Sequence, residues 1–195
     1  MICGILLAAG AAERFGADKL ATPLADGRAV AVAAAAALDQ GVDRLLAVVR
    51  DAGSASACLL RAAGVELSVC PHAARGMGAS LAWGVTRTAQ ASGWVIGLAD
   101  MPRVQGQTVR ALVERLRAGS AIVVPHFHGR PGNPVAFGRA LGGELARLDA
   151  DHGGRAIIRA HAGAVDRLAV ADSGILMDID RPGDVVKIDK KVKLY

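Results

Sequence analysis

Five near-continuous apolar runs recur along the chain: ICGILLA at 2–8, RLLAVV at 44–49, VELSVC at 65–70, WVIGLA at 94–99 and AIVVP at 121–125. Runs of this length without polar alternation are the mark of strands covered on both faces. Between them, residues 28–40, 54–63, 79–91 and 106–118 have the length and composition of helices. Ser54 and Gln105 are placed to start two of these, and Gly41, Gly64 and Gly119 to stop three. Strand–helix alternation predicts a βαβ series, hence an α/β fold built on a doubly wound, mostly parallel sheet in a single domain. After Pro125 the pattern changes. HFHGRPGNPVAFG is a Gly/Pro loop running into a short extended piece, followed by helical segments at 139–148 and 153–161. Strand-like VDRLAV (165–170) and GILMDI (174–179) come next. The end, KIDKKVKLY, carries four Lys in nine residues and predicts a frayed tail over 185–195 behind a domain of 1–184.

Composition narrows the class. Of the 195 residues 52% are hydrophobic but only 3% aromatic, so the core must be built from Ala, Val, Leu and Ile. A net charge of +5 is spread from Arg14 to Lys193 with no basic block interleaved with aromatics. That excludes a base-stacking nucleic-acid surface and reads as a solubility device. Cys3, Cys58 and Cys70 are odd in number and lack C-x-x-C spacing, which predicts reduced thiols in a cytoplasmic protein. The apolar start lacks a positive leading region and meets Arg14 too soon for a signal peptide, so it is expected to be the first strand. The run AVAVAAAAAL is about half of what a membrane helix needs, and a soluble protein is expected.

In a doubly wound sheet ligands sit at the carboxyl ends of the strands, and four sequence features fall there. The first is LAAGAAERFGADK (7–19). Gly10 lets the backbone approach a ligand and turn N–H groups toward phosphate oxygens, while Arg14 and Lys19 supply positive charge. It is neither a Walker A nor a G-x-G-x-x-G motif, and alone it also reads as a tight turn with two solvated cations. The second is GLADMP (97–102), an apolar strand ending in Asp100, with Pro102 stopping the strand. Asp100 suits a Mg²⁺ ligand, and equally a cap for the helix near 105. The third is MDIDRPGD (177–184), where period-two geometry puts Asp178 and Asp180 on one strand face, with one reaching the site. The fourth is ARGMGASLAWG, in which Gly76, Gly78 and Ser80 open a helix whose N-terminus can receive an anion or a base edge; in isolation it is a Gly-rich turn with Ser80 near the cap.

Taken together, LLAAGAAERFGADKL, GMGASL, LADMP, GRPGNPVAF and DIDRP resemble, in kind and order, the MobA-like nucleotidyltransferases. The resemblance spans residues 2 to about 184 and implies a Rossmann-like nucleotidyltransferase fold. Within the family the chain looks most like the molybdenum cofactor cytidylyltransferases, since Leu7 to Gly10 read L-A-A-G where guanylyl-transferring relatives tend to read L-A-G-G. The resemblance implies that Leu7, Ala8, Ala9 and Gly10 lie against the nucleotide, with Arg14 and Lys19 on its phosphates. Gly76, Gly78, Ser80 and Leu81 would flank the nucleoside, and Asp100 and Asp180 would hold Mg²⁺. Gly129, Arg130, Gly132 and Asn133, with Asp151, Gly153, Gly154 and Arg155, would face the acceptor. Relatives often have His where Asn133 stands and G-D-x-G where Ala150–Gly153 stand.

The implied reaction moves a nucleoside monophosphate from NTP, here CTP, to a phosphate on molybdopterin or a related acceptor, releasing pyrophosphate. A phosphate monoester is already anionic near neutrality, its second pKa being about 6, so no general base is needed. His72, His126, His128, His152 and His161 form no recognisable dyad in the sequence. A molybdoenzyme is the expected recipient of the product. The rivals are a sugar-phosphate or GTP-dependent molybdopterin nucleotidyltransferase and, from another class, a chaperone that only carries the finished cofactor. Lys19, Asp100 and Asp180 together favour catalysis, because carrying a product does not call for a metal.

Overall fold

A computed structural model describes residues 1–10, 18–150, 153–181 and 183–185. Within them one eight-stranded sheet has the order β3-β2-β1-β4-β7-β5-β6, with β8 added against β5. Strands β1 (Ile2–Ala8), β2 (Arg44–Val49), β3 (Glu66–Val69) and β4 (Gly93–Leu98) are mutually parallel. Helices α1 (Val30–Asp39), α2 (Ala55–Ala62) and α3 (Met77–Arg87) connect them, and α4 (Gly106–Arg117) leads to β5 (Ile122–Phe127). β6 (Arg130–Pro131), β7 (Val135–Gly138), α5 (Gly142–Leu145), α6 (Arg155–Ala160) and β8 (Val165–Ala169) complete the chain order.

Alternation along β1 divides the core. Ile2, Leu6 and Ala8 pack with α1, α2 and α4 on one face, while Cys3, Ile5 and Ala9 pack with Leu81 and Val85 of α3, Leu145 and Ile157 on the other. The sheet is therefore doubly wound, as the sequence predicts. Two close approaches depend on small residues. The Ala-rich α1 lies on one face, and on the other a methyl at Gly84 of α3 would sit 2.8 Å from Ile5 Cγ2 and 3.0 Å from Val48 Cγ2. Ser54 starts α2 by accepting from the Ala57 N–H, as its position suggests.

The sheet is mostly parallel, as expected, with β7 running antiparallel between β4 and β5. The chain reverses at His128 and Gly129, both at positive φ, so that β6 and β7 fold back beside β5. One expectation is corrected: GILMDI is not a strand. Ser173–Leu176 form a 3-10 turn held by the Asp172 carboxylate on the Gly174 N–H, and the Ile175 carbonyl accepts from the Asn133 N–H. Loop contacts, not a ladder, thus fix the segment that carries Asp178 and Asp180. Gln105 occupies the cap position of α4, as expected, without a side-chain cap bond. Asp172, only 1% exposed, does that work from 67 residues away, accepting from the Gln105 N–H and the Thr108 hydroxyl, both at 2.8 Å. Val185, assigned to the tail, is buried against the α1–α4 side of the core, while 186–195 lie outside the described residues.

Asp172→Ala would strand these buried donors together with the Gly174 N–H. The expected loss is roughly 1–3 kcal/mol of stability, read as a fall in the denaturant midpoint at unchanged m-value. An unchanged midpoint would show that the cap is dispensable.

Candidate active site

The carboxyl ends of β1 and β4 lie side by side, with Leu7 paired to Leu98, so that Gly10 and Asp100 emerge at the same edge. Ala8 and Ala9 are buried and Gly10 is exposed. Among the described residues, a methyl added to Gly10 would meet nothing within 4 Å. Packing among the described residues therefore does not require a glycine there, whereas the approach of a ligand to the backbone would.

Lys19 begins a 3-10 turn, Lys19–Ala21, whose cap is Asp18. One Asp18 oxygen accepts from the Leu20 N–H at 3.2 Å, and the other accepts from the Ser56 N–H at 2.8 Å. The turn is thereby tied to the start of α2. Fixed this way, the Lys19 ammonium donates to Asp100 Oδ2 at 2.9 Å and to the Ile179 carbonyl at 2.9 Å, and lies 3.5 Å from Asp180 Oδ1. The Ile179 N–H donates to the Asp100 carbonyl at 3.0 Å, clipping the DIDRP segment to the end of β4. Three motifs remote in sequence thus meet on one ammonium group.

The electrostatics of the cluster follow from its contacts. The Lys19 side chain is 17% exposed, Asp100 23% and Asp180 64%. Burial would pull the Lys19 pKa down, but the hydrogen bond it donates to Asp100 and the charges of Asp100 and Asp180 outweigh it and hold it above its ordinary value. Two carboxylates against one ammonium leave a net charge of −1. Asp100 Oδ1 is buried with no hydrogen-bond partner among the described residues. Such an oxygen is costly unless a cation or donor joins it, and this is the observation against which a metal can be tested. Asp100 and Asp180, hard oxygen donors converging on one point, fit Mg²⁺ or Mn²⁺. No group of three or more metal-ligating side chains gathers among the described residues, so such an ion would complete its shell with substrate phosphates and water.

The α3 N-terminus borders the crevice. Its cap residue, Gly76, has φ 121°, a conformation that favours glycine, and the Gly78 N–H is bound to the Ala150 carbonyl at 2.8 Å. Ser80 is buried, and its hydroxyl donates back to the Gly76 carbonyl at 3.4 Å. Leu81 and Ala9 are core residues whose side chains pack with Ile5 and Val48. Any contact of these two with a ligand must therefore come from their backbone or from indirect shaping of the turn. Gly153 lies beside Met77, where an added methyl would stand 3.6 Å from Met77 Sδ, so the turn before α6 abuts the start of α3. Arg155 is exposed at the first turn of α6, and Arg130 is exposed beyond β5. Gly132 has its own structural need, because a methyl would stand 2.3 Å from the Ile175 carbonyl oxygen. Asn133 is clamped by its N–H on the same carbonyl. Arg14 and Asp151 lie outside the described residues.

Three contributors escape the motif reading. Asp18 seats the lysine turn, the Ile179 carbonyl shares the ammonium, and Arg50 at the end of β2 donates from Nε to the Ala9 carbonyl at 3.3 Å. Asp18 stands next to Lys19, and that adjacency was the available signal. The alternative role for Asp100 as helix cap is excluded, since its carboxylate faces Lys19 and Asp172 serves α4.

A Rossmann-like sheet with an exposed Gly10, a lysine and two aspartates at its carboxyl edge defines a nucleotidyltransferase-type architecture. Residues 4–165 match the family described as MobA-like NTP transferase domain, and the chain belongs to that family. It is 32% identical to purine catabolism protein PucB of Bacillus subtilis, over 93% of this chain and 92% of that protein. Among solved structures, Rv0371c of Mycobacterium tuberculosis H37Rv is 31% identical with a TM-score of 0.82, covering 97% of each chain. The same protein has been solved as a complex with manganese. A nucleotidyl transferase of Methanothermobacter thermautotroptrophicus shares the fold, with a TM-score of 0.83 at 22% identity over 100% of this chain and 99% of that one. No helix among the described residues is long and apolar enough to cross a membrane. Cys3 and Cys70 are buried free thiols, and Cys58 is free and exposed.

Proposed function

We propose that this chain transfers CMP from CTP to the terminal phosphate of molybdopterin or its metal-bearing form, releasing pyrophosphate. The observation that carries the reading is the convergence of Lys19, Asp100 and Asp180 at the strand edge from which Gly10 emerges. An acceptor phosphate oxygen attacks the α-phosphorus, forming one P–O bond as the bond to the β-phosphate breaks and pyrophosphate leaves. The acceptor oxygen arrives anionic, so the residues need only align it and offset charge. Backbone N–H groups around Gly10 face the phosphates, Lys19 follows the charge that grows on the departing pyrophosphate, and Arg14 adds a second cation. Asp100 and Asp180 would hold Mg²⁺, which supplies charge neutralisation at the phosphate oxygens when bound. The Gly76–Ser80 end of α3 borders the nucleoside, and Arg130, Gly132, Asn133, Asp151 and Arg155 face the acceptor.

The manganese complex of Rv0371c supports a divalent ion in relatives of this chain. The likeness to the purine catabolism protein PucB supports a use of the product in purine breakdown. The L-A-A-G turn supports cytosine over guanine. Because the Ala9 methyl faces the core, the choice must be expressed through the path of the turn, not through a methyl touching the base. With molybdopterin as acceptor, kcat/KM is expected to be at least about tenfold higher for CTP than for GTP, within the range a pocket's shape can supply. A preference for GTP would overturn the cytidylyl assignment.

A further inference from the structure

Lys19 stands where a divalent cation would have to bind. We propose that the Lys19 ammonium is the resident counter-ion of the Asp100–Asp180 pair, so that the site accepts a divalent metal as a metal–nucleoside triphosphate complex and resists the free ion. The proposal rests on the metal assignment above. The ammonium lies 2.9 Å from Asp100 Oδ2 and 3.5 Å from Asp180 Oδ1, between the two carboxylates. Metal–oxygen bonds are shorter, about 2.1 Å for Mg²⁺, so Lys19 must withdraw before both aspartates can close on an ion. Leaving is costly without a new anion, because the Lys19 side chain is only 17% exposed and also gives up the Ile179 carbonyl.

A triphosphate removes that cost. It offers several negative charges to a flexible four-carbon side chain whose backbone is held by Asp18. Lys19 can then exchange carboxylate for phosphate as the ion replaces it on the aspartates. The buried Asp100 Oδ1, without a hydrogen-bond partner among the described residues, offers a further donor that the lysine does not use. The substrate form implied is therefore the metal–nucleotide complex.

The test counts free Mn²⁺ by electron paramagnetic resonance over the intact protein in the absence of nucleotide. Lys19→Met keeps the stem and removes the charge, and should bind Mn²⁺ at least about tenfold more tightly than the wild type. Lys19→Arg keeps the charge and should stay as weak as the wild type. Adding a CTP analogue that cannot be cleaved between the α- and β-phosphates should bring Mn²⁺ retention to the wild type. Equal, Asp100-dependent affinities for the wild type and Lys19→Met would overturn the exchange while leaving the metal assignment standing. If Asp100→Asn changes nothing in the Lys19→Met background, the metal assignment itself falls, and the exchange with it.

Discussion

Asp100→Asn is expected to fold normally and to lose about a thousandfold in turnover at saturating Mg²⁺. The amide is a poor ligand for a hard cation and leaves phosphate charge uncompensated. A Lewis-acid contribution of several kcal/mol, taken as roughly 4, corresponds to that factor. Folding should survive because Asn can still accept from Lys19, whose ammonium keeps the Ile179 carbonyl and Asp180 as partners. The cap of α4 is untouched, since Asp172 provides it. The measurement is single-turnover transfer of labelled CMP, with thermal unfolding as the control for structure. Turnover near wild type would show that the Asp100 carboxylate has no part in the chemistry.

Lys19→Ala should lower kcat more than it raises KM, with a loss of about 2–4 kcal/mol in transition-state stabilisation, the range for one preorganised donor. Charge on the leaving pyrophosphate grows along the reaction, so a cation held there is worth more in the transition state than in the ground state. An effect confined to KM would mean that Lys19 only holds substrate. The pH behaviour follows from the direction of its shift. With its folded pKa raised, the ammonium is retained through the whole neutral range, and no lysine limb should enter the rate profile there. The stability that this pairing contributes is fully present below the unfolded value, near 10.5, and is lost as pH rises through the folded one.

The parallel half of the fold was legible because β1, β2 and β4 are near-continuously apolar and buried, and most of the helices between are closed by a glycine or opened by a cap. The Ser54 cap and the stops at Gly41, Gly64 and Gly119 are local signals and can be read locally. What escaped reading depends on contacts distant in sequence. Asp172 caps a helix 67 residues away, and the antiparallel β7 is inserted by a reversal at His128–Gly129. The DIDRP segment is shaped by Asp172, Asn133 and Asp100, so its alternating apolar pattern suggested a strand that the chain does not form.

The site divides in the same way. Lys19, Asp100 and Asp180 were identifiable as residue types within their motifs, and their meeting is a consequence of the fold. Between Asp178 and Asp180 the alternation gave no basis for choice; the clip of Ile179 on Asp100 turns Asp180 toward the ammonium and leaves Asp178 exposed. Ala9 and Leu81 sit inside recognisable motifs, yet their side chains are core. A motif reports the path of the backbone as often as it reports a contact.

The central claim is that a nucleoside monophosphate moves to a phosphorylated acceptor at the Lys19–Asp100–Asp180 site. It is tested most directly by presenting CTP labelled at the α-phosphate, and separately at the γ-phosphate, together with molybdopterin and Mg²⁺. The α-label should pass to the pterin product and the γ-label to pyrophosphate in equal amounts, and both transfers should fail in Asp100→Asn. Release of γ-label as inorganic phosphate, or tight retention of molybdopterin with no label transferred from any nucleoside triphosphate, would contradict the account.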